Sequence, residues 1–385
     1  MGELAMRVTR RTALQASLLG VAGLLRATPT TAQSQSTGPT PAERERLAHL
    51  AADLMDWYEA PGLSVAIATK GEPVYVEAFG FADKEKQEPL TTQHRFRIAS
   101  VTKPITSAGI LLLMQAGRLR LTDHVFGPNS ILGDEYKTPP NRQDIERITI
   151  DQLLTHTSGG WPNDHDDPMF KNKEMNHQEL INWALETGPL RWEPGYHYAY
   201  SNFGYCLLGR VIEKVTQQKY DQFISSALLG PSGISDMQIA GNTLAERAAN
   251  EVKYYSQVAG EDPYDLNIAR MDSHGGWIAA PLDLIRFTAG IDGSRGNPLL
   301  SADTRTIMAT PSHVNSGYAK GVFVNSVRNF WHTGSLPGTA TIAVRTHTGF
   351  SWAAFVNTRT KFEDMLDSLD ALMWHMVGSV DGWRA

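Results

Sequence analysis

The chain has 385 residues, 42% hydrophobic and 20% charged, with a formal net charge of −6, which is enough apolar material for a large core. The acidic balance gives no electrostatic reason to expect nucleic acid as a partner. The single cysteine, Cys206, excludes an intrachain disulfide and any cysteine-based metal cluster, and its apolar surroundings predict a buried, inert thiol.

The first element is a targeting signal. Arg10-Arg11 precede an apolar stretch from Leu18 to Leu25, and small residues follow up to Ala32. A charged start, a short apolar run and a small-residue end mark residues 1–33 as an export signal, and the paired arginines are similar to a twin-arginine signal. The expected destination is the periplasm or the exterior, with cleavage near Ala32 or retention as an uncleaved anchor. The apolar run falls short of the roughly 18–20 residues a spanning helix needs, so no stable membrane span is expected in the mature form. Four arginines stand against one glutamate in this stretch, so the remainder is more acidic still.

Residues 34–42 read as a Ser/Thr/Gly/Pro/Gln linker, and the folded domain is expected over 43–378. Pro41 opens a helix with Leu47, Leu50, Leu54 and Trp57 as its apolar positions. Leu63–Thr69 and Pro73–Phe79 are β-branched runs joined by Lys70-Gly71-Glu72, the pattern of a hairpin. An apolar helix follows through Ile105, Ala108 and Leu112, with Gly117 closing it. Helices are then predicted over 148–154, 178–185, 202–215 and 281–288. Strands return at Val322–Val327, Phe330–His332, Thr339–Arg345 and Ser351–Asn357, and an amphipathic helix runs from Phe362 to Val377. Strands at both ends with helices between predict an α+β fold. One lobe, from 43–120 and 300–378, would hold a sheet flanked by helices, and 121–299 would form a mainly helical inserted lobe.

Three polar constellations carry chemistry. In Ser100-Val-Thr-Lys103 the lysine lies one helical turn from the serine, on the same face. A serine hydroxyl is a weak nucleophile until a neighbour takes its proton, and a buried lysine can be that neighbour. Tyr200-Ser-Asn202 sits in a loop just before a helix. A tyrosine oxygen near an ammonium would have a depressed pKa and could serve as a base, while asparagine could orient the lysine. His-Thr-Gly occurs twice. His347-Thr-Gly349 separates two strand runs and reads as a hairpin turn, whereas His332-Thr-Gly334 lies along a strand where it can line a cleft. Trp161 either lines that cleft or packs beneath its loop. Asp164-His165-Asp166-Asp167 lacks the spacing of metallohydrolase ligands and reads as a solvated loop.

Taken together and in this order, the three motifs resemble those of the serine β-lactamase and penicillin-binding protein superfamily. Tyr200 in the second motif resembles class C β-lactamases, D-alanyl-D-alanine carboxypeptidases, D-aminopeptidases and related esterases. Leu153–Gly159, His274-Gly-Gly-Trp277 and Gly334–Gly338 also match stretches common there, over roughly residues 45 to 378. The resemblance implies the β-lactamase/transpeptidase-like fold. It implies Ser100 as the acylated nucleophile, Lys103 as its partner, Tyr200 as general base and Asn202 as a holder of substrate and lysine. It further implies His332, Thr333, Gly334 and Trp161 as substrate contacts, with the backbone N–H groups of Ser100 and Ser335 as oxyanion hole. Whether Lys103 or Tyr200 takes the first proton stays open. No metal or other cofactor is implied, and the partner is a small-molecule or peptide substrate. Where β-lactamases usually carry lysine, this chain has His332, which would titrate near pH ~6.5 if free. That favours a peptidase, amidase or esterase over a dedicated β-lactamase. The alternative is a penicillin-binding or ligand-sensing protein that acylates without efficient turnover.

Overall fold

The computed structural model describes residues 38–136, 143–360 and 364–383, so the expected export signal and the first part of the linker lie outside the described residues. The chain begins with α1 (Pro41–Trp57), capped by Thr40, whose hydroxyl and backbone N–H exchange hydrogen bonds with Glu43. Strands β1 (Gly62–Thr69) and β2 (Glu72–Asp83) follow. Their two connecting residues, Lys70 and Gly71, have φ of +47° and +81°, the positive pair that a two-residue hairpin turn demands. Short strands β3 (Glu88–Pro89) and β4 (Phe96–Arg97) lead to a 3₁₀ turn over Ala99–Val101 and to α2 (Thr102–Gln115).

Next come α3 (Gln143–Glu146), α4 (Ile150–Leu154), α5 (His177–Thr187), α6 (Asn202–Thr216) and α7 (Tyr220–Ile224). Short strands β5 (Gln238–Ile239), β6 (Tyr255–Ser256) and β7 (Trp277–Ala279) precede α8 (Pro281–Asp292) and α9 (Ala302–Ala309). The chain ends with β8 (Phe323–Val324), β9 (Phe330–Leu336), β10 (Thr339–Arg345), β11 (Phe350–Val356), β12 (Thr358–Arg359) and α10 (Met365–Gly378). The last helix, expected from Phe362, begins at Met365, and Phe362 itself lies outside the described residues. Other expectations shorten as well. The helix expected from Ile148 starts at Ile150 because Thr149 and Gln152 form a capping box there. The strand expected over Val322–Val327 stops at Val324, because the chain turns through Asn325 to Asn329.

The main sheet has the order β3-β2-β1-β11-β10-β9-β8, and its pairs are antiparallel. Period-two alternation gives it two apolar faces. Leu63, Val65 and Ile67 of β1 join Trp352, Ala354 and Val356 of β11 beneath α1 and α10, while Ala66 and Ala68 meet Ile285 of α8 on the other side. The fold is α+β, a sheet between helices with further helices beside it. Helix α2 runs through the larger core, and eleven of its fourteen residues are buried. An apolar helix that is covered all round is a core helix, so α2 gives the residues at its start a rigid base. Gly117, φ +68°, ends it as expected. Among the described residues, no helix is long and apolar enough to cross a membrane.

Candidate active site

Ser100 lies in the 3₁₀ turn just ahead of α2, one step earlier than the helix turn expected for it, and is half-buried. The residue before it, Ala99, has φ +48°. A left-handed conformation is costly for a residue with a side chain, and such strain concentrates at functional turns. Pairing of β4 with β7, and the bond from Ile98 N–H to the Trp277 carbonyl at 2.9 Å, hold this turn beside residues 274–277.

Strand β9 closes on the same turn from the other side. A Cβ on Gly334 would sit 2.2 Å from the Ile98 carbonyl oxygen and 3.1 Å from the Ala99 Cβ. Only glycine permits this approach, and it brings the strand that carries Ser335 against the turn that carries Ser100. Gly334 is therefore there for contact between backbones rather than for flexibility.

Lys103 is fully buried. Its Nζ lies 3.0 Å from Ser100 Oγ, 2.7 Å from Asn202 Oδ1 and 3.1 Å from the His274 carbonyl oxygen. Burial lowers its pKa from the ordinary 10.5 to about 7, against a smaller opposing pull from Asp167. At neutral pH a large share of Lys103 is thus the free amine. Two of its three neighbours, the Asn202 and His274 oxygens, can only accept, so they take the two N–H bonds of a neutral amine. The lone pair is left for the Ser100 hydroxyl proton.

The orientation of Asn202 is fixed from behind. Its Nδ2 donates to Asp167 Oδ2 at 2.7 Å, which turns Oδ1 toward Lys103. Asp167 itself accepts Met169 N–H at 2.9 Å and is buried, which raises its pKa. Here the reading of residues 164–167 as a solvated loop needs correction. Asp164, His165 and Asp166 are exposed, but Asp167 points inward and anchors the second motif. The helix cap is Ser201, whose Oγ accepts Gly204 N–H at 3.1 Å, and Asn202 is the first helical residue.

Tyr200 enters the site with its ring centroid 4.8 Å from Lys103 Nζ and its hydroxyl hydrogen-bonded to Ser100. The expected depression of its pKa does not occur. Burial raises the phenol well above its usual value, and the bond to Ser100 only moderates this, so Tyr200 keeps its proton at neutral pH. Burial is the largest influence on the phenol and disfavours a phenolate.

His332 departs further from expectation. It is 2% exposed, with Nδ1 2.6 Å from the Thr333 carbonyl and Nε2 3.2 Å from Tyr318 Oη. Burial, with Lys103 nearby, lowers its pKa to about 3. It is a neutral imidazole whose two nitrogens are both spent inside the protein, so it neither titrates near neutrality nor offers a substrate a free polar atom. Trp161 is likewise spent in packing. It is 4% exposed, lies 4.8 Å from the Phe203 ring and donates its indole N–H to the Ala184 carbonyl. Thr333 and Ser335 keep some exposure on the same strand. His347–Gly349 forms the β10–β11 turn, away from these groups. Sequence reasoning did not single out Asp167, the His274 carbonyl, His156 or Tyr318. For His156 and His274 the signal was their place in family-like stretches; for Tyr318 there was none. Among the described residues, no group of three or more His, Cys, Asp or Glu side chains could hold a metal ion.

A serine on a strained turn, a buried lysine at hydrogen-bond distance and an asparagine holding that lysine define a serine acyl-transfer site on an α+β scaffold. Residues 47–372 match the family model described as Beta-lactamase, and the chain belongs to the serine β-lactamase and penicillin-binding protein superfamily. It is 27% identical over 312 residues to penicillin-binding protein 4* of Bacillus subtilis, covering 73% of this chain and 64% of that protein. It is 36% identical over 174 residues to protein flp of Staphylococcus aureus, covering 44% of this chain and 33% of the relative. The chain thus spans between one third and two thirds of the length of these curated relatives. Among solved structures, it is similar to the D-amino acid amidase of Ochrobactrum anthropi SV3 complexed with L-phenylalanine amide, with a TM-score of 0.72, 22% identity and coverage of 88% and 98% of the two chains. The octameric penicillin-binding protein homologue from Pyrococcus abyssi gives a TM-score of 0.70 at 22% identity, over 86% and 77%. The superfamily is one of serine hydrolases and penicillin-binding proteins, and the structural likenesses show the fold.

Proposed function

We propose that the chain is an exported serine hydrolase that acts through an acyl-enzyme on an ester or amide, as a peptidase, amidase or esterase rather than a dedicated β-lactamase. The observation that carries this reading is the setting of Lys103: buried, flanked by two acceptor-only oxygens and 3.0 Å from Ser100 Oγ. In this reading the neutral amine takes the Ser100 proton as Oγ attacks the carbonyl carbon. The backbone N–H groups of Ser100 and Ser335 stabilise the oxyanion. Tyr200, which keeps its proton, relays a proton to the leaving group and orients the water that later hydrolyses the acyl-Ser100 ester. Asn202 holds Lys103, and Thr333 meets the substrate from β9. Likeness to a D-amino acid amidase supports an amide as substrate, and the internally committed His332 argues against a site built to grip a carboxylate. Export rests on the paired arginines and apolar run within residues 1–33.

A second reading, acylation without efficient turnover, draws on the likeness to penicillin-binding protein 4*. One experiment separates the two. Purified wild type and Ser100→Ala are compared on a short-chain p-nitrophenyl ester, a D-amino acid amide, a D-alanyl peptide and a chromogenic cephalosporin. Rapid multiple turnover that disappears with Ser100→Ala supports the hydrolase; one acylation per protein supports the second reading. Turnover retained by the alanine variant overturns both.

A further inference from the structure

Behind the nucleophile, a buried chain of hydrogen bonds joins the second motif to the third. His156 follows α4 in the left-handed conformation, φ +57°, at the position after a helix end where glycine is usual. Thr157 N–H reaches the Gln152 carbonyl at 2.8 Å to close that helix end. The unfavoured residue places an imidazole that is 1% exposed. Its carbonyl accepts Ala199 N–H at 2.8 Å and its Nδ1 accepts Ser201 N–H at 3.1 Å, so one residue grips both chain neighbours of Tyr200.

The tautomers of both histidines follow from the backbone groups at the two ends. A backbone N–H can only donate, so Nδ1 of His156 carries no proton, and its Nε2–H donates to Tyr318 Oη at 3.1 Å. At the far end, the Thr333 carbonyl can only accept, so His332 carries its proton on Nδ1. His332 Nε2 is therefore an acceptor facing Tyr318 O–H at 3.2 Å, and it shares that single proton with Tyr205 Oη, since Tyr205 donates its own to the Leu154 carbonyl. Tyr318 is fully buried, accepts from His156 and has His332 Nε2 and Tyr205 Oη as the acceptors for its proton.

We propose that His156 and Tyr318 are positioning residues that hold Tyr200 and β9 together and commit both nitrogens of His332 inward, so that the site takes amides or esters lacking a carboxylate where β9 meets the substrate. The substrate half of this inference rests on the acyl-enzyme reading above; the tautomer half does not. The titratable groups near His332 are Tyr318, Tyr200, Lys103 and, through Tyr318, His156. None of them supplies an anion that would favour an imidazolium.

The full chain, labelled with ¹⁵N-histidine, is examined by long-range ¹H–¹⁵N correlation from pH 5 to 8.5, with His332→Gln assigning the resonance. The expected wild-type result is a neutral His332 with the proton on Nδ1 throughout. In Tyr318→Phe, Nε2 loses its donor and its shift moves toward that of a free imine nitrogen. An Nε2–H tautomer or a cation in the wild type overturns the proposal, and so does an unchanged Nε2 shift in Tyr318→Phe. If Tyr318→Phe does not fold, the wild-type tautomer alone decides. In parallel, kcat/KM is measured for N-acetyl-D-alanyl-D-alanine and its C-terminal amide. Preference for the amide by tenfold or more, reversed by His332→Lys, supports the substrate class; equal use of the free acid by the wild type overturns it. Turnover surviving Ser100→Ala would instead sink the acyl-enzyme reading and leave the tautomer result standing.

Discussion

Acidification tests the role given to Lys103. Its pKa is lowered from 10.5 to about 7 by burial, so the free amine dominates above that value and the ammonium below it. The active fraction is about nine tenths at pH 8 and about one hundredth at pH 5, from tenfold per pH unit. Initial-rate kcat/KM for an uncharged ester should therefore fall roughly 90-fold between pH 8 and pH 5 along a limb of unit slope. The perturbation that identifies the group is Asp167→Asn. The Asp167 charge holds the Lys103 pKa up, so removing it moves the midpoint of the limb to lower pH. A profile flat from pH 5 to 8 would refute the reasoning, as would a midpoint that rises in the variant. The same shift has a consequence for stability. Between about pH 7 and 10.5 the unfolded lysine holds a proton that the folded one lacks, so this group makes the fold more stable as pH rises through that window.

Other outcomes follow from the packing. Gly334→Ala drives a methyl into the Ile98 carbonyl; thermal melts should show a loss of about 1–3 kcal/mol, with kcat/KM falling as β9 moves off the Ser100 turn. Ala99→Gly relieves a left-handed residue, worth about 1–2 kcal/mol, while giving up a buried methyl worth about 0.8 kcal/mol. Its melting temperature should stay near that of the wild type while kcat drops, and an unchanged kcat would show that the strain does nothing for the nucleophile. Asn202→Ala leaves both Lys103 and Asp167 without their shared partner; acylation measured by stopped flow should slow by about 10²-fold or more. Cys206 is fully buried with its thiol pushed up to about 12, so Ellman's reagent should react only after denaturation.

Local patterns made much of the fold legible. The β1–β2 hairpin was readable from two β-branched runs around Lys70-Gly71, and α2 from its uninterrupted apolar residues closed by Gly117. The nearness of Ser100 and Lys103 was legible because three residues on a helix is one turn. Their meeting with Asn202, 99 positions along the chain, rested on the order of the motifs and not on any local pattern. What failed to show was decided by burial. The sequence suggested a phenolate at Tyr200 and a titrating imidazole at His332, and burial, which shows only in the fold, moves both the other way. Asp167 stands among three exposed polar neighbours that hide its inward turn. Tyr318 sits in a loop, and the two histidines it joins lie 162 and 14 positions away, so no local pattern marks it. Helix α9 is a short element of eight residues, half of them polar, and its period was too weak to read.

The most direct test of the central claim is to trap the acyl-enzyme and locate it. The wild-type protein is mixed with a slowly hydrolysed activated ester, quenched in acid and analysed by intact mass and peptide mapping. One acyl group on the peptide that carries Ser100, absent from Ser100→Ala, is the expected result. Continued ester turnover with no adduct, or an adduct on another residue that persists in Ser100→Ala, would contradict the account.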